Sequence, residues 1–491
     1  MCGVLGIIDS GDVISKMYTG LLTLQHRGQD SAGILTYDGK FHIKKGNGLI
    51  RDIFNEKHIA RLKGNISIGH TRYPTVGEGS VEDAQPFWIN SPFGIAAAHN
   101  GNVFNFHDLK KELFEKSHKI INSNCDVEVF LNIFAEYLEK AMRREPLPDL
   151  IFNGVRHIYK KVKGAYSVVL YIAGIGMVGF RDPNGVRPLL FGTNTDQMLP
   201  AFAFASESVT LNSLGFGEIR DLEPGSVIFV DQNRKVHEKK LITAPFRPCI
   251  FEYVYFARPD STINGINVYQ SRVDLGKRLA RKIRDSGIDI DVVVPVPDSS
   301  RPSAIEIARL LKVKYREGLV KNRYIGRTFI MAGNPLREKS IRQKLNPIPD
   351  VFAGKNVLIV DDSIVRGNTS RSIIQMVRGS GAKKIYIASY SSPLTNPCVY
   401  GIDMQTRSEF IASNSTPEQI AAKIGADKVI YQDIRDMEQA VRAQNKSIKS
   451  FCKACFTGIY PTGDVSPEFL ERIEQEREKY NQSQLDLKLN Y

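Results

Sequence analysis

Short apolar or alternating runs separated by glycine turns dominate the first half of the chain. Examples are residues 94–98, 165–172 and 225–231. Their length and spacing predict the strands of a layered, largely antiparallel β structure. Two helical stretches interrupt this pattern, one beginning near Lys16 and one covering residues 126–142.

From about residue 268 the pattern changes to strands that alternate with helices. The predicted strands are 291–295, 356–361 and 384–388, and the predicted helices are 272–285, 303–311 and 369–378. This alternation is typical of right-handed βαβ units that build a parallel sheet. We therefore divide the chain into a first part at 2–240, a second part at 241–465, and a charged tail at 466–491 that we expect to be a fraying surface helix.

Composition narrows the class of protein. The chain has 491 residues and a net charge of +13, but its lysines and arginines are spread out. We therefore favour a basic surface for a small polyanionic substrate over nucleic-acid binding. The longest apolar run, 167–180, is too short to span a bilayer, and the N-terminus has no basic region typical of a secretory signal. These features predict a cytoplasmic protein with no membrane contact.

The start of the chain offers a candidate nucleophile. Met1 precedes Cys2, and an initiator methionine is normally removed before so small a residue. Cys2 would then carry a thiol and a free α-amine, whose usual pKa of about 8 suits a general base. Nucleophile and base would come from one residue.

The first part also contains four short polar motifs that are candidates for a site with this cysteine. They are His26-Arg27-Gly28-Gln29-Asp30-Ser31-Ala32-Gly33, His70-Thr71-Arg72-Tyr73-Pro74-Thr75, His99-Asn100-Gly101-Asn102 and Asn124-Cys125-Asp126-Val127-Glu128. Each alone could be turn chemistry or a satisfied polar group. Together with Cys2 they resemble the class II glutamine amidotransferases, whose glutaminase domain has the αββα-layered, α+β N-terminal-nucleophile hydrolase fold.

The resemblance implies a role for each residue of this glutaminase site. Cys2 would attack the side-chain amide of glutamine, and Asn100 with the Gly101 backbone N–H would form the oxyanion hole. Arg72 would bind the substrate α-carboxylate and Asp126 the α-ammonium. We expect His26, His70 and His99 to position backbone near the pocket rather than to act on Cys2, and Cys125 to be a small buried apolar residue.

A second candidate site follows an apolar strand in the second part. The segment 357–370 runs from that strand into Asp361 and Asp362, then into a Gly/Thr/Ser loop that opens a helix. Such a loop presents backbone N–H groups and a positive helix end to a phosphate. Paired carboxylates at a strand end suit ribose hydroxyls and a Mg²⁺ shell. A plain βα turn with acidic edges is the alternative.

This segment is similar to the 5-phosphoribosyl-1-diphosphate (PRPP) loop of type I phosphoribosyltransferases. The resemblance implies that Asp361 and Asp362 contact the ribose and Mg²⁺, and that Ser300 on an earlier loop is a further Mg²⁺ ligand. The 5′-phosphate would lie against Arg366, Gly367, Asn368, Thr369 and Ser370. Lys321 and Tyr324 belong to a basic run that resembles the lid over PRPP, or that could be a solvated basic loop.

The order of the two parts resembles the amidophosphoribosyltransferase family over roughly residues 2–465. The resemblance implies glutamine-dependent synthesis of 5-phosphoribosylamine from PRPP in purine synthesis, with ammonia passing between the sites. It also implies a homo-oligomer, often a tetramer, inhibited by purine nucleotides. The alternatives are another class II amidotransferase, which the PRPP loop disfavours, and a non-catalytic PRPP- or purine-sensing regulator, which the glutaminase motifs disfavour.

The chain has six cysteines, too few to predict a disulfide framework in a long intracellular protein. In one branch of the family, four cysteines hold a [4Fe–4S] cluster, and Cys249, Cys398, Cys452 and Cys455 stand at the corresponding places. Four thiolates also suit zinc, and unligated core cysteines are the third possibility. Members with the cluster often carry a short propeptide, whereas here Cys2 follows Met1 directly.

Overall fold

A computed structural model describes residues 1–73, 81–196, 199–322, 345–402, 404 and 406–475. The predicted order, an antiparallel layered part followed by a parallel sheet, is confirmed. Within the described ranges, no helix is both long and apolar enough to cross a membrane.

Thirteen strands of the described residues form the two sheets of the first part. In chain order they are β1 Gly3–Ile8, β2 Ser31–Tyr37, β3 Phe41–Asn47, β4 Ile66–Arg72, β5 Phe87–Ile89, β6 Ile95–Val103, β7 Gly164–Ile172, β8 Gly176–Arg181, β9 Leu190–Asn194, β10 Ala201–Ala205, β11 Glu218–Asp221, β12 Ser226–Asp231 and β13 Val236–Lys240. One sheet has the order β11-β9-β10-β1-β4-β2-β3 and the other β13-β12-β8-β7-β6-β5. The neighbouring strands within both sheets are antiparallel.

The helices of the first part that the structure describes are α1 Ile14–Thr23, α2 Ile50–Ile53, α3 Glu56–Ile59, α4 Phe106–Ser117, α5 Val127–Ala141, α6 Asp149–Lys161 and α7 Ser208–Ser213. Alternation along β1 explains the layers. Val4 and Ile8 pack toward the second sheet, whereas Leu5 and Ile7 pack toward α1. Helices α5 and α6 cover the outer face of the second sheet, which completes the predicted αββα sandwich.

The second part begins with a hairpin of β14 Thr262–Ile263 and β15 Ile266–Asn267. Its main sheet has the order β17-β16-β20-β21-β22, and all its pairs are parallel. The sheet strands are β16 Val292–Pro295, β17 Lys314–Tyr315, β20 Asn356–Asp361, β21 Lys384–Ser389 and β22 Lys428–Tyr431, and a separate pair is β18 Leu319–Lys321 with β19 Leu345–Pro347.

Helices cover both faces of this parallel sheet, as its apolar strands require. They are α8 Val268–Asp285, α9 Arg301–Leu311, α10 Pro349–Phe352, α11 Asn368–Gly379, α12 Pro417–Ile424, α13 Ile434–Arg442 and α14 Ala454–Thr457. The strands and helices predicted for the second part agree with these bounds to within a few residues. In the first part, the two predicted helical stretches correspond to α1 and α5, but the prediction of only two was wrong, since α4 and α6 are helices of similar length. The tail is helical at 467–475, and its remainder, 476–491, lies outside the described residues.

Candidate functional site

Cys2 lies just before β1, in the middle of the first sheet, at the floor of a small cavity. Its backbone N–H donates a hydrogen bond to Asn100 Oδ1 at 3.1 Å, and its Sγ lies 3.7 Å from the carbonyl oxygen of Tyr73. The side chains and backbone that line this cavity are Cys2, Arg72, Tyr73, Gln85, His99, Gly101, Asn124, Cys125 and Asp126. The structure therefore brings Cys2, Gly101, Arg72 and Asp126 together, although they are far apart in sequence.

Asn100 and Gly101 stand near the end of β6, beside the cysteine. Asn100 is fully buried, and its Nδ2 has no hydrogen-bond partner among the described residues. Gly101 has a φ of +152°, and a Cβ there would lie 2.0 Å from the Ala165 carbonyl oxygen. Only glycine fits this backbone. Asn100 does not line the cavity itself, but its side chain contacts Cys2 and keeps beside it an amide donor that is unpaired in the described chain, a group of the kind that stabilises oxyanions.

Two opposite charges line the same cavity, as the glutaminase resemblance implies. Arg72 Nη2 lies 3.7 Å from Asp83 Oδ2. Asp126 Oδ2 accepts a hydrogen bond from the Val103 N–H at 2.8 Å, and His99 Nε2 lies 3.0 Å from Asp126 Oδ1. A cavity with a guanidinium and a carboxylate can recognise both charges of an amino-acid backbone.

The contacts of the three histidines are with residues other than Cys2. His70 Nε2 lies 3.1 Å from the His99 carbonyl oxygen, and His26 Nε2 lies 2.7 Å from Glu207. Cys125 is buried, and burial raises the pKa of its thiol to about 12, helped by the neighbouring Asp126 carboxylate. It also lines the cavity, which the expectation of an ordinary core residue did not foresee.

Sequence reasoning missed Asp83 and Gln85. Gln85 lines the cavity, and Asp83 supports it through Asn124. Asp83 Oδ1 accepts a hydrogen bond from the Asn124 N–H at 2.9 Å. Gln85 Oε1 accepts from the His99 N–H at 2.8 Å, and its Nε2 lies 3.0 Å from His99 Nδ1. Gln85 thus contacts both the backbone and the ring of His99. Neither residue belongs to a recognisable local motif.

The second site lies where β20 ends. Asp361 and Asp362 are 8% and 7% exposed. Burial raises the pKa of both carboxyls, and the Asp362 carboxylate raises that of Asp361 further. Ser299 Oγ and Ser363 Oγ each donate to Asp362 at 2.6 Å. Two buried carboxylates with few donors form a site that a cation would stabilise.

The predicted phosphate loop leads from these carboxylates into α11. Gly367 caps the helix with a φ of +78°, and Asn368, Thr369 and Ser370 form its first turn. Arg366 is paired with Glu409 at the loop surface. Backbone N–H groups at this helix start are free of intrahelical partners, as in other phosphate sites.

Ser300 and the basic run lie on neighbouring elements. Strands β16 and β20 are parallel neighbours, so the loop that contains Ser300 leaves the sheet at the same edge as Asp361. Ser300 is fully buried, and its Oγ has no hydrogen-bond partner in the described part of the chain. Lys321 Nζ lies 3.1 Å from Asp298 on that loop. Tyr324 and the rest of the basic run, 323–328, lie outside the described residues.

The four cysteines of the second part meet at the junction of the two parts. Cys249 and Cys452 are paired in an isolated parallel bridge, and the Asn396 N–H donates to the Cys455 carbonyl oxygen, close to Cys398. All four are free thiols. Burial raises the pKa of Cys249 to about 11 and raises those of Cys452 and Cys455, with further contributions from the neighbouring cysteines.

These thiols are neighbours rather than a preformed ligand set. Across the described ranges, no group of three or more His, Cys, Asp or Glu side chains has a metal-binding arrangement. The buried Arg187 guanidinium lies near this cluster and lowers the pKa of Cys249 and Cys452 in part. The cluster therefore combines four thiols with a nearby positive charge.

The second part also contacts the first part directly beside Gly101. Asn102 Nδ2 donates to the Val399 carbonyl oxygen at 2.9 Å. Gly401, with a φ of +103°, lies so close to Gly101 that a Cβ would be 2.9 Å from its carbonyl oxygen. The segment that contains Cys398 thus forms one wall behind the Asn100–Gly101 backbone.

Comparison with known proteins finds relatives for both parts of the chain. A glutamine amidotransferase domain model matches residues 70–213, and a phosphoribosyl transferase domain model matches residues 266–393. The amidophosphoribosyltransferase of Pseudomonas aeruginosa is 49% identical, covering 97% of this chain and 96% of the relative. That of Pasteurella multocida is 47% identical, with the same two shares.

Among solved structures, the glutamine PRPP amidotransferase from Bacillus subtilis, complexed with ADP and GMP, has a TM-score of 0.82 and 38% identity. The match covers 94% of this chain and 97% of that one. Since curated relatives are nearly half identical from end to end, the chain belongs to the amidophosphoribosyltransferase family.

Proposed function

We propose that this protein converts glutamine, PRPP and water to 5-phosphoribosylamine, glutamate and diphosphate, the first committed step of purine synthesis de novo. Residues 2–240 would carry the glutaminase site, residues 241–465 the PRPP site, and 466–491 a C-terminal tail. One observation carries the proposal. Cys2, the Gly101 backbone and two opposite charges line one cavity, with the Asn100 side chain bound to Cys2, in the same chain as a buried dicarboxylate that precedes a phosphate-type loop.

In the glutaminase site, the Cys2 thiol attacks the side-chain amide carbon of glutamine while its α-amine takes the thiol proton and passes it to the leaving ammonia. Asn100 Nδ2 and the Gly101 N–H stabilise the tetrahedral oxyanion. Water then cleaves the thioester to glutamate. The buried Nδ2 without a partner among the described residues supports this role for Asn100.

Recognition of glutamine rests on the two charges of the cavity. Arg72 binds the α-carboxylate and Asp126 the α-ammonium. The Val103 N–H and His99 hold the Asp126 carboxylate from the far side, so that it faces the substrate in a fixed orientation.

In the PRPP site, ammonia attacks C1 of the ribose and displaces diphosphate. Asp361 and Asp362 hold the ribose hydroxyls, and Arg366, Gly367, Asn368, Thr369 and Ser370 hold the 5′-phosphate. Lys321 and Tyr324 belong to a lid that excludes water from the reacting carbon. Ammonia travels between the sites inside the protein, since free ammonia would escape or become ammonium.

The residues at the PRPP site fit a magnesium ion. Ser300 Oγ, Asp361 and Asp362 would hold it together with substrate oxygens, because Mg²⁺ is usually bound by one or two carboxylates plus phosphates. The buried hydroxyl without a partner in the described chain, and the raised pKa of both carboxyls, support this assignment. Bound Mg²⁺ would neutralise charge on the diphosphate leaving group.

The four junction cysteines fit an iron–sulfur cluster. We propose that Cys249, Cys398, Cys452 and Cys455 hold a [4Fe–4S] cluster that ties the C-terminal segment to the junction and has a structural role. Their free thiols, mutual proximity and the Arg187 guanidinium beside them support it.

The family resemblance also suggests how the enzyme is regulated and assembled. We propose that purine nucleotides inhibit the enzyme and that it is a homotetramer. The Bacillus subtilis relative was complexed with ADP and GMP, which supports nucleotide binding.

The proposed reaction is tested by diphosphate release from PRPP, measured with glutamine and with ammonium chloride, with and without Mg²⁺. We expect release with both nitrogen donors, only when Mg²⁺ is present. Release with neither donor would contradict the proposed function.

A further inference from the structure

A buried ion-pair network reaches from the second part of the chain to the backbone of Cys2. Arg27, on the loop between α1 and β2, donates from Nε to the Cys2 carbonyl oxygen at 2.9 Å. Its Nη1 donates to Glu207 at 2.6 Å, and Nη1 and Nη2 both donate to Glu252, at 3.0 and 2.9 Å. Two carboxylates thus bind the Arg27 guanidinium, which itself donates a hydrogen bond to the backbone of Cys2.

All the charged members of this network are withdrawn from water. Arg27 and Glu252 are 1% and 2% exposed, and Arg187 and Glu207 are fully buried. Arg187 Nη1 lies 3.7 Å from Glu252 Oε1. Buried ion pairs are weak contributors to stability, since desolvation offsets their attraction. We therefore expect the main effect of this network to be the fixed orientation of the Arg27 side chain rather than a gain in stability.

Glu207 anchors the network within the first part. Its Oε1 faces His26 as well as Arg27, and its Oε2 accepts from the Arg258 N–H at 3.0 Å and the Ser261 Oγ at 2.7 Å. Both oxygens are therefore engaged. Glu252, in contrast, belongs to the second part of the chain and pairs with Arg27 across the junction.

Glu252 begins a π-helical turn, Glu252–Phe256, of a kind often found at functional sites. Arg272 donates to the carbonyl oxygens of Tyr253 and Tyr255 at 3.1 and 2.9 Å. The Tyr390 hydroxyl lies 3.0 Å from the Val254 carbonyl oxygen and 3.3 Å from that of Ser299. This turn is thus built into the wall of the PRPP site.

We propose that Glu252 is a positioning residue for the glutaminase reaction. It orients Arg27, which fixes the Cys2 carbonyl and with it the direction of the α-amine and thiol. This inference rests on the proposed function and adds that the geometry of the first site depends on a carboxylate of the second part. Glu252 itself does not touch the substrate.

The test is the variant Glu252→Gln, which keeps the shape of the side chain and removes its charge. The matched control is Glu306→Gln, a buried carboxylate of the second part that pairs with Arg309 instead. Three quantities are measured for each full-length enzyme: kcat and KM for glutamine hydrolysis, and the rate of ammonia-dependent diphosphate release.

For Glu252→Gln we expect kcat for glutamine to fall about ten- to a hundredfold, because a shift of about 1 Å at a reacting group can cost 10²-fold. KM for glutamine and the ammonia-dependent rate should stay within about twofold, because the side chains that bind substrate remain in place. Glu306→Gln should change none of the three.

Two results would overturn the inference: an unchanged kcat for glutamine, or parallel loss of glutamine- and ammonia-dependent rates, which would indicate a structural role. If Glu252→Gln does not fold, Glu252→Asp is the test. It keeps the charge but withdraws it by one methylene, and kcat for glutamine should then fall at constant KM. A wild-type enzyme that uses neither nitrogen donor would instead refute the proposed function.

Discussion

Asn100 binds the Cys2 backbone with one atom of its side-chain amide and keeps the other without a partner in the described part of the chain. Its Oδ1 accepts a hydrogen bond from the Cys2 N–H at 3.1 Å, and its buried Nδ2 has no hydrogen-bond partner among the described residues. Once Met1 is removed, the Cys2 nitrogen becomes the free α-amine. One side chain would then orient the base with its oxygen and stabilise the oxyanion with its nitrogen.

Asn100→Asp separates these two roles, because it keeps an oxygen near Cys2 but removes the amide donor. We expect kcat for glutamine hydrolysis to fall roughly 10²- to 10³-fold, the usual cost of losing one oxyanion donor. Ammonia-dependent diphosphate release should remain close to the wild-type rate. Steady-state kinetics with both nitrogen donors check this, and an unaltered kcat for glutamine would remove Asn100 from the oxyanion hole.

Cys2→Ala tests whether the two sites are chemically separate. The variant lacks the nucleophile, so glutamine-dependent synthesis should be abolished, whereas high ammonia should still support product formation. Diphosphate release with each donor is the measurement. Cys125→Ala is a matched control for a thiol of the same cavity, and we expect it to retain glutamine-dependent activity. Equal loss of both activities in Cys2→Ala would contradict two separate sites.

Asp362→Asn tests the PRPP site. Loss of this carboxylate removes a proposed ligand of the ribose and of Mg²⁺, so the rates with glutamine and with ammonia should fall together. The exposed Asp285 at the end of α8 provides the control Asp285→Asn, which should be silent. Retained PRPP turnover in Asp362→Asn would exclude the proposed role.

The junction cysteines predict a coloured protein. Anaerobically purified enzyme should be brown and contain about four iron and about four acid-labile sulfide per chain. Cys398→Ser should lower both contents, whereas Cys125→Ser should leave them unchanged because Cys125 lies in the other part of the chain. A colourless preparation containing zinc would reject the cluster.

Glu207 predicts how stability depends on pH. Burial by itself raises the pKa of this carboxyl, but His26 and Arg27 outweigh burial and hold the pKa well below its usual range. A carboxyl with a depressed folded-state pKa adds stability above its unfolded pKa of about 4.3, and this stability is lost as the pH falls toward the folded value.

Glu207→Gln should therefore lower the thermal unfolding midpoint at pH 7, since breaking a buried ion pair costs about 3 to 5 kcal/mol. The difference in unfolding midpoint between variant and wild type should be smaller at pH 3.5, because Glu207 is then protonated in the unfolded chain but still ionised in the folded one. The exposed Glu471 supplies the control Glu471→Gln. An equal difference at both pH values would contradict a charged Glu207.

The elements of the fold were largely predictable because their apolar periodicity is local. Strand 356–361 and helix 369–378 come from such patterns and agree with β20 and α11. The polar motifs also indicated the cavity residues, since Asn100–Gly101 and Asp361–Asp362 each lie within a few residues of a recognisable strand.

The supporting residues could not be predicted in the same way. Glu207 and Glu252 lie 180 and 225 positions from Arg27 along the chain, and no period or spacing links them. Asp83 likewise meets Asn124 only through tertiary folding. These residues become neighbours through burial and charge pairing in the folded chain, and no local sequence pattern indicates such contacts.

The close approach of Gly401 to Gly101 bears on how such a protein could evolve. A protein cut back to its first part would lack the Gly401 backbone that lies behind Gly101. Any residue other than glycine at position 401 would place a Cβ 2.9 Å from the Gly101 carbonyl oxygen. A recombined protein would therefore keep this contact only if the incoming second part also carried glycine at position 401.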